Sequence, residues 1–404
     1  MAKIIRVAVD ICLLWIYTSS MLRHRILDMV SISAKKSLFL FGPRSTGKTT
    51  LLKMQFREDA IINLLKSSTY LSLSHNPSDL TGMVKEIRRT SPAVIIDEIQ
   101  KLPLLLDEVH HLIESGYDRF ILTGSSGRKL KRGGVNLLAG RAWQCNMYPL
   151  SFAEIDDFDL GRYLLYGGLP QVYDSAYPEE ELDAYINTYL KEEIKEEALV
   201  QNFTHFSRFL KLAALSNTGQ LNYANVSQET GIPATSVRSY FEILSDTFVG
   251  FMLDPWRKSV KRKAVATGKF YFFDVGVANF LNGVSVLNHN SPEFGKSLEH
   301  FIAMELRAYL SYRRIKKELS FWRSQSGAEV DFLVGEDMAI EVKSTTRVTD
   351  RHLKGLRALK EENLIKQFFL VSLDAVERET PDGIRLLYWK GFLQRLWDGS
   401  LLER

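Results

Sequence analysis

Residues 42–49 read GPRSTGKT, a spacing of two glycines, a lysine and a hydroxyl residue that could hold phosphate groups. Glycines let a backbone wrap closely around phosphate oxygens, and the amides at a helix N-terminus point at the same anion. Lys48 would neutralise the β and γ phosphates of a nucleotide, and the Thr49 hydroxyl would bind Mg²⁺. The spacing is that of a P-loop, with a chance glycine-rich turn as the alternative. The predicted phosphate-binding residues are Gly42, Pro43, Arg44, Ser45, Thr46, Gly47, Lys48, Thr49 and Thr50.

Two further stretches end in side chains suited to nucleotide chemistry. The apolar run AVIIDEIQ delivers Asp97 and Glu98. Asp97 would help to hold Mg²⁺ and Glu98 would polarise an attacking water, although adjacent acids at a strand end are also a common structural feature. The run RFILTGSS ends in hydroxyl groups, of which Thr123 or Ser125 could contact the γ-phosphate or simply cap a turn.

The segment EVDFLVGEDMAIEVK, residues 329–343, sets charged side chains into two strand-like runs around a Gly-Glu-Asp turn. Centring a hairpin on that turn places Asp331 opposite Glu341 and Glu329 opposite Lys343, with all four on one face. Asp331 and Glu341 could then bind a divalent cation, and Lys343 could offset the charge that develops on a phosphate under attack. The alternative is a surface hairpin whose Glu329–Lys343 pair is worth at most about 1 kcal/mol.

The elements around these motifs must bring them together. SLFLF before the P-loop and LLKM after it predict a strand and a helix, and buried parallel strands would deliver the other two motifs to the same sheet edge. Near the hairpin, Ser291 is a predicted N-cap and Pro292 the first residue of a core helix. Glu299 and Glu305 of that helix point about 120° away from each other, so only one of them can face the hairpin.

The middle of the chain has a helix-turn-helix pattern followed by basic residues. A helix around residues 224–230 ends at Gly231, Pro233 opens a second helix, and an apolar strand follows. The basic residues of the predicted wing are Arg257, Lys258, Lys261, Arg262, Lys263 and Lys269, and those of a second loop are Arg128, Lys129, Lys131 and Arg132. These cations could neutralise nucleic-acid phosphates, or the module could serve only packing or protein contacts.

Composition limits the choices further. The chain has 404 residues, which predicts two or three domains, and its net charge of +4 is too small to identify a polyanionic partner. Its two cysteines can form neither a disulfide framework nor a four-thiolate zinc site, which fits a reducing cytoplasm. For residues 1–20 we expect a non-native or disposable extension ahead of Met21, with an ordered surface element or a targeting segment as alternatives.

Several stretches carry a family resemblance. LFGPRSTGKTT, IIDEIQKLP, ILTGSS, LLAGRAWQCNMYPLSFAEI and YLLYGGLPQV occur in this order. They resemble prokaryotic AAA-type ATPases that carry a C-terminal domain of uncharacterised function related to restriction-endonuclease-like folds. The resemblance implies a P-loop αβα fold with Lys48, Thr49, Asp97 and Glu98 at the nucleotide. It also suggests Arg141 as an arginine finger that acts on a neighbouring subunit, with a structural role at a strand start as the alternative.

The same resemblance assigns residues in the C-terminal part. Glu299 matches the helix glutamate of the PD-(D/E)xK nuclease pattern, Asp331 matches its aspartate, and Glu341 to Lys343 match its last element. On this basis Glu299, Asp331, Glu341 and Lys343 are expected to form a nuclease-like site.

The expected protein is therefore α/β in three parts: an AAA-type P-loop αβα sandwich over residues 21–150, a helical and winged-helix region over 151–285, and a restriction-endonuclease-like domain over 286–404. The leading hypothesis is a cytoplasmic Mg²⁺-dependent ATPase that binds ATP, engages DNA or RNA, can form a homo-oligomer and needs no membrane. The alternative is an ATP-switched regulatory or scaffold protein that binds a protein partner and has an inactive nuclease-like domain.

Overall fold

The computed structural model describes residues 23–127, 138, 140–190, 203–262 and 264–402. The predicted extension over residues 1–20, the second basic loop and Lys263 lie outside these residues. Two β-sheets organise the described part of the chain, one of five strands and one of eight.

The first sheet belongs to the N-terminal part. Its strands are β1 (Ser37–Phe41), β2 (Ile61–Asn63), β3 (Val94–Asp97), β4 (Phe120–Gly124) and β5 (Ala142–Asn146). Every pair is parallel, and the strand order is β2-β3-β4-β1-β5. The carboxyl ends of β1, β3 and β4 therefore meet at one edge, which is the edge that carries the three predicted nucleotide motifs. A parallel sheet of this kind is consistent with a P-loop domain.

Helices cover both faces of this sheet. They are α1 (Met29–Ser33), α2 (Lys48–Gln55), α3 (Ser67–His75), α4 (Asp79–Ile87) and α5 (Leu105–Glu114). Alternate residues of β1 enter two separate cores, with Leu38 and Leu40 in one and Phe39 and Phe41 in the other. Burial on both faces explains why the strand reads as a continuous apolar run.

The middle of the chain is helical and has its own aromatic core. Its helices are α6 (Leu160–Tyr166), α7 (Pro170–Asp174), α8 (Pro178–Ala184), α9 (Phe203–Leu215), α10 (Tyr223–Thr230) and α11 (Ala234–Asp246). Gly231, with φ of +69°, ends α10, and α11 begins directly after Pro233. These are the helix ends that the sequence predicts, whereas the winged-helix assignment stays a prediction.

The second sheet contains β6 (Gly250–Pro255), β7 (Lys269–Phe272), β8 (Leu319–Arg323), β9 (Glu329–Val334), β10 (Met338–Lys343), β11 (Gln367–Ser372), β12 (Arg378–Glu379) and β13 (Ile384–Tyr388). Its strand order is β12-β13-β11-β10-β9-β8-β6-β7. The helices of this part are α12 (Val275–Leu281), α13 (Pro292–Tyr312), α14 (Lys354–Lys360) and α15 (Trp389–Asp398).

This sheet contains strands from both sides of the expected division at residue 285. Strands β6 and β7 precede that position but complete the C-terminal sheet, because Asp254 and Pro255 pair with Ser320 and Phe321 of β8. The partners lie far apart in the chain, so local sequence patterns do not reveal the pairing. The division at residue 285 stays a prediction, with strands from both sides of it in one sheet.

Arg25 links the regions of the molecule through its buried guanidinium. It donates to Glu154 Oε1 at 2.9 Å, to the carbonyl oxygen of Thr46 in the P-loop at 2.7 Å and to that of Tyr148 at 2.7 Å. It also donates to the hydroxyl of Tyr312, the last residue of α13, at 3.2 Å. The phosphate-binding loop is thus connected to the C-terminal part by a single side chain.

Two helical glycines predict opposite effects of one substitution. A Cβ at Gly276 in α12 would overlap the carbonyl oxygen of Tyr166, whereas a Cβ at Gly82 in α4 meets nothing within 4 Å. We expect Gly276→Ala to lower the free energy of unfolding by about 1–3 kcal/mol, since the backbones must separate. Gly82→Ala should raise it by about 0.5 kcal/mol through a reduced unfolded-state entropy. Urea denaturation of both variants checks this, and equal effects would contradict the close approach of α6 and α12.

Candidate functional site

The P-loop follows a path that its glycines make possible. Gly42 has φ of +153°, and a side chain there would overlap the carbonyl oxygen of Met147. Gly47 has φ of +91° and is the N-cap of α2. Ser45 also adopts a left-handed conformation, with φ of +61°. The loop therefore curves tightly between β1 and α2, as a phosphate-enclosing loop must.

The ammonium of Lys48 lies inside this curve. It donates to the carbonyl oxygens of Gly42 at 2.7 Å and Pro43 at 2.8 Å, and the residue is buried. These two acceptors are neutral carbonyl groups of the loop itself. An anion enclosed by the loop would meet this charge directly.

Asp97 joins three motifs at the sheet edge. Its carboxylate is buried and accepts from the Thr49 hydroxyl at 3.0 Å and from the Thr123 hydroxyl at 2.5 Å. Thr123 in turn accepts from the backbone amide of Glu98 at 3.0 Å. Because β4 lies between β1 and β3, Thr123 bridges the P-loop strand and the acidic strand. Thr49 and Asp97, the predicted Mg²⁺ ligands, are therefore adjacent.

Glu98 is held by a residue that sequence reasoning missed. Glu98 adopts a left-handed conformation with φ of +64°, which costs on the order of 1 kcal/mol and is typical of functional sites. The amide of Gln100 donates to the Glu98 carboxylate and to the Ser125 hydroxyl, the latter at 3.1 Å. Gln100 Oε1 is buried and has no hydrogen-bond partner among the described residues. Gln100 stands two positions after Glu98 in AVIIDEIQ. This closeness in sequence is the signal that could have identified it as a partner of Glu98.

A cavity of about 330 Å³ lies beside the P-loop. Its lining residues are Arg23, Arg25, Gly47, Thr50, Leu51, Met54, Leu150, Pro170, Gln171, Asp174, Ser175 and Glu181. Arg23 and Asp174 form an ion pair at 2.7 Å across it. The volume and the mixed lining suit a small organic ligand. The motif GGLPQV supplies Pro170 and Gln171. The sequence alone does not show that this motif lines a cavity.

Arg141 does not reach this edge of its own sheet. It immediately precedes β5, which runs parallel to β1 with Ala142 beside Ser37 and Asn146 beside Phe41. Arg141 is therefore about five residues, or roughly 16 Å, from the P-loop edge. Its guanidinium pairs with Glu114 Oε1 at 2.8 Å and is 39% exposed. A role as an arginine finger is open to it only on a neighbouring subunit.

The hairpin of β9 and β10 has the register that its turn predicts. Val334, Leu333 and Phe332 pair with Met338, Ala339 and Ile340 in turn. The same register continued along both strands sets Asp331 opposite Glu341. Here the Asp331 carboxylate accepts from the backbone amide of Val342 at 2.8 Å.

One glutamate of α13 reaches this hairpin. Glu299 accepts from Tyr271 at 2.7 Å and from Lys269 at 3.1 Å. Glu305 points elsewhere and accepts from the Phe152 amide and the Trp397 indole. The structure thus selects Glu299 as the helix carboxylate near Asp331 and Glu341.

Ammonium groups stand among these carboxylates. Lys343 pairs with Glu341 at 2.5 Å, and Lys269 lies 2.7 Å from Glu329, 3.1 Å from Glu299 and 3.9 Å from Asp331. We call these six residues the carboxylate cluster. Burial, together with the charge of Asp331, raises the pKa of Glu341 to about 8 against the opposing effect of Lys343. Burial likewise raises the pKa of Glu299 to about 6, with Lys269 opposing it.

Lys269 is a correction to the predicted basic wing. It was expected among exposed cations, but its side chain is only 4% exposed because β7 carries it into the carboxylate cluster. The negative charges around Lys269 explain how a lysine can be buried here. Burial alone would lower its pKa, but the charges of Glu299, Asp331 and Glu329 outweigh this effect and raise the pKa of Lys269.

The other described cations of that loop also have partners within the chain. Lys258 pairs with Glu336 and Arg262 with Glu361, both at 2.7 Å. Lys261 donates to the Glu361 carbonyl and Arg257 to the carbonyl of Ala266. Glu362 binds the loop itself, since it accepts from the amides of residues 260, 261 and 262. The loop is held against the C-terminal part, and a role of its exposed cations in nucleic-acid binding stays a prediction.

No three His, Cys, Asp or Glu side chains in the described ranges are arranged to hold a metal ion. Asp331 and Glu341 as metal ligands therefore stay a prediction. Among the helices that the structure describes, none combines the length and apolar character of a bilayer crossing.

Comparisons with known proteins divide the chain into three segments. Residues 34–156 match an AAA domain, residues 157–288 match a domain of unknown function (DUF8612), and residues 294–390 match another domain of unknown function (DUF4143). An uncharacterized protein of Haemophilus influenzae is 24% identical over 385 residues, which covers 86% of this chain and 91% of that protein. The chain thus has an AAA ATPase-like domain, which suggests ATP binding, and a C-terminal DUF4143 domain. A relation of the latter to nucleases stays a prediction.

Proposed function

We propose that the protein is a Mg²⁺-dependent ATPase whose nucleotide binds at the carboxyl edge of the five-stranded sheet. The observation that carries this proposal is the convergence of Lys48, Thr49 and Asp97 at one edge, with Thr49 and Thr123 both donating to Asp97. The AAA match over residues 34–156 supports it independently.

Each residue at this edge has a distinct task in ATP hydrolysis. The amides of the P-loop and Lys48 bind the β and γ phosphates. Thr49 and Asp97 would hold Mg²⁺, which when bound neutralises charge that develops on the phosphate oxygens. Glu98 orients and polarises the attacking water, and Gln100 holds the Glu98 carboxylate through its amide. Ser125, fixed by the same amide, is the hydroxyl available near the γ-phosphate.

The cavity beside Gly47 and Thr50 is the place for the nucleoside. It adjoins the first turn of α2, so a nucleotide whose phosphates lie in the P-loop can extend its base and sugar into it. Leu51, Met54, Leu150 and Pro170 offer apolar surface for a base. Arg25, which borders both the cavity and the P-loop, is buried and donates to the Thr46 carbonyl of the loop.

The first test separates binding from hydrolysis. Lys48→Ala should abolish ATP binding because the phosphates lose their main cation, whereas Glu98→Gln should keep ATP binding and lose hydrolysis. The control is Lys53→Ala, an exposed lysine in the same helix, which should change neither. Binding is measured with a fluorescent ATP analogue and hydrolysis by phosphate release. Hydrolysis at the native rate by Glu98→Gln would show that another group activates the water.

Arg141 acts, in this proposal, on the nucleotide of an adjacent copy in a homo-oligomer. Its distance from its own P-loop edge and its exposure beside Glu114 support this role. Arg141→Ala should lower turnover by roughly 10³-fold and leave ATP affinity nearly unchanged. The control is Arg119→Ala, a similarly exposed arginine that precedes β4 at the same sheet edge.

Subunit mixing makes the test of Arg141 specific. A site with intact Glu98 from an Arg141→Ala subunit can receive Arg141 from a Glu98→Gln neighbour, so mixing the two inactive variants should restore part of the turnover. A mixture that stays as inactive as its components would return Arg141 to a structural role.

A second candidate function concerns the partner. Nucleic-acid engagement depended on exposed cations, but the five described members of the basic loop each have an acceptor within the chain. This observation favours an ATP-switched regulatory or scaffold protein that binds a protein partner.

The partner class can be tested by ATP turnover in the presence of nucleic acids. We expect single-stranded, duplex and branched DNA, and RNA, to leave turnover unchanged, because the described cations of the basic loop already have acceptors within the chain. Binding measured by fluorescence anisotropy should likewise be absent between about 50 and 200 mM salt. Stimulated turnover together with a steep salt dependence of binding would instead support nucleic-acid engagement.

A further inference from the structure

The carboxylate cluster has the residue types of a metal site, but a cation of the chain is already present. Lys269 Nζ lies within 4 Å of an oxygen of Glu299, Glu329 and Asp331. Those carboxylates come from α13 and β9, and the lysine comes from β7. Three acidic side chains from two elements thus converge on one ammonium.

The surroundings fix this lysine rather than leave it mobile. Its side chain is 4% exposed, and the ammonium lies 5.3 Å from the centre of the Phe321 ring. Lys269 is paired along the backbone with Leu253 of β6. A buried ammonium with two carboxylates at hydrogen-bond distance has little freedom to leave. Its departure would leave the carboxylates buried without a counter-charge.

Most remaining oxygens of the cluster also have partners, although Glu341 Oε2 is buried and has no hydrogen-bond partner among the described residues. Glu341 pairs with Lys343, and the second oxygen of Glu329 lies 3.4 Å from Arg323. Asp331 has its backbone donor from Val342, and Glu299 has the Tyr271 hydroxyl. A divalent cation requires several oxygen ligands at about 2.0–2.6 Å around one point. At the point where the carboxylates of Glu299, Glu329 and Asp331 converge, that position belongs to Lys269.

We propose that the carboxylate cluster is a metal-independent centre in which the ammonium of Lys269 serves as the resident cation. The positive charge that divalent-cation chemistry would bring is supplied by the chain itself. The residues expected for a nuclease are therefore assembled, but at the point where Glu299, Glu329 and Asp331 converge the ammonium of Lys269 takes the place of a metal ion. This inference stands apart from the proposed ATPase, whose residues are all at the other sheet.

Removal of Lys269 should uncover a metal site. In Lys269→Met, the carboxylates of Glu299, Glu329 and Asp331 lose their common counter-charge, and a divalent cation can replace it. Lys269→Arg keeps the charge and is the matched control. Asp331→Asn, alone and combined with Lys269→Met, removes one of the three carboxylates.

The experiment is a Mn²⁺ titration of the full chain without nucleotide. Electron paramagnetic resonance measures the concentration of free Mn²⁺ at each step. We expect the native protein, Lys269→Arg and Asp331→Asn to bind Mn²⁺ alike. Lys269→Met should gain a site, and the double variant should bind it at least roughly tenfold more weakly. Mn²⁺ should also raise the melting temperature of Lys269→Met more than that of the native protein, through linkage.

Two outcomes would overturn the proposal. One is a Mn²⁺ site in the native protein that Asp331→Asn removes, which would show that metal binds despite Lys269. This comparison of the native protein with Asp331→Asn needs no substitution at Lys269. It therefore tests the proposal even if Lys269→Met fails to fold. The other is a folded Lys269→Met variant that gains no Mn²⁺ site. This result would show that the lysine does not occupy the position of a metal ion.

Discussion

The buried guanidinium of Arg25 is the contact on which the arrangement of the molecule depends. It joins Glu154, the carbonyl of Thr46 and the hydroxyl of Tyr312. Leaving one member of a buried ion pair unpaired costs about 3–5 kcal/mol, so the chain must keep Arg25 and Glu154 together. Through Tyr312 the same side chain reaches α13, which also carries Glu299 roughly 20 Å away at 1.5 Å per residue. One rigid helix therefore lies between the phosphate-binding loop and the carboxylate cluster.

Two buried lysines illustrate how the partner decides what a charge can do. Lys48 donates to neutral carbonyl groups of its own loop, which are weak acceptors that an incoming phosphate can outcompete. Lys269 is surrounded by carboxylates that hold it electrostatically. The first lysine lies in a loop whose glycines suit a phosphate ligand, and the second is held by the carboxylates of the fold. Residue type alone does not distinguish them, because both are lysines and the acceptors of each are set by the fold.

Local patterns predicted the parts of both sites that depend on neighbours in sequence. The P-loop spacing, the acids Asp97 and Glu98 at a strand end, and the hairpin register follow from backbone periodicity and turn chemistry. The 3.6-residue period also established that Glu299 and Glu305 could not face the same way. The match to an AAA domain agrees with the resemblance of the first third of the chain.

Features that depend on distant pairing could not be predicted in this way. Lys269 reads as one more cation in a basic loop, and its burial requires β7 to lie against α13 and β9. The ion pairs of Lys258 and Arg262 join segments far apart in the chain. Gln100 was overlooked because a glutamine beside two acids has no motif of its own. Its contact with Ser125 requires β4 to lie beside β3 in the sheet, and this pairing cannot be read from the local sequence.

The strands that cross the expected boundary have a consequence for how such a chain can evolve. The matches to the two domains of unknown function meet between residues 288 and 294, yet strands from both sides form one hydrogen-bonded sheet. A recombination event at that junction would separate β6 and β7 from β8 and would remove the lysine from its carboxylates. Selection would therefore act on the two segments as an inseparable pair.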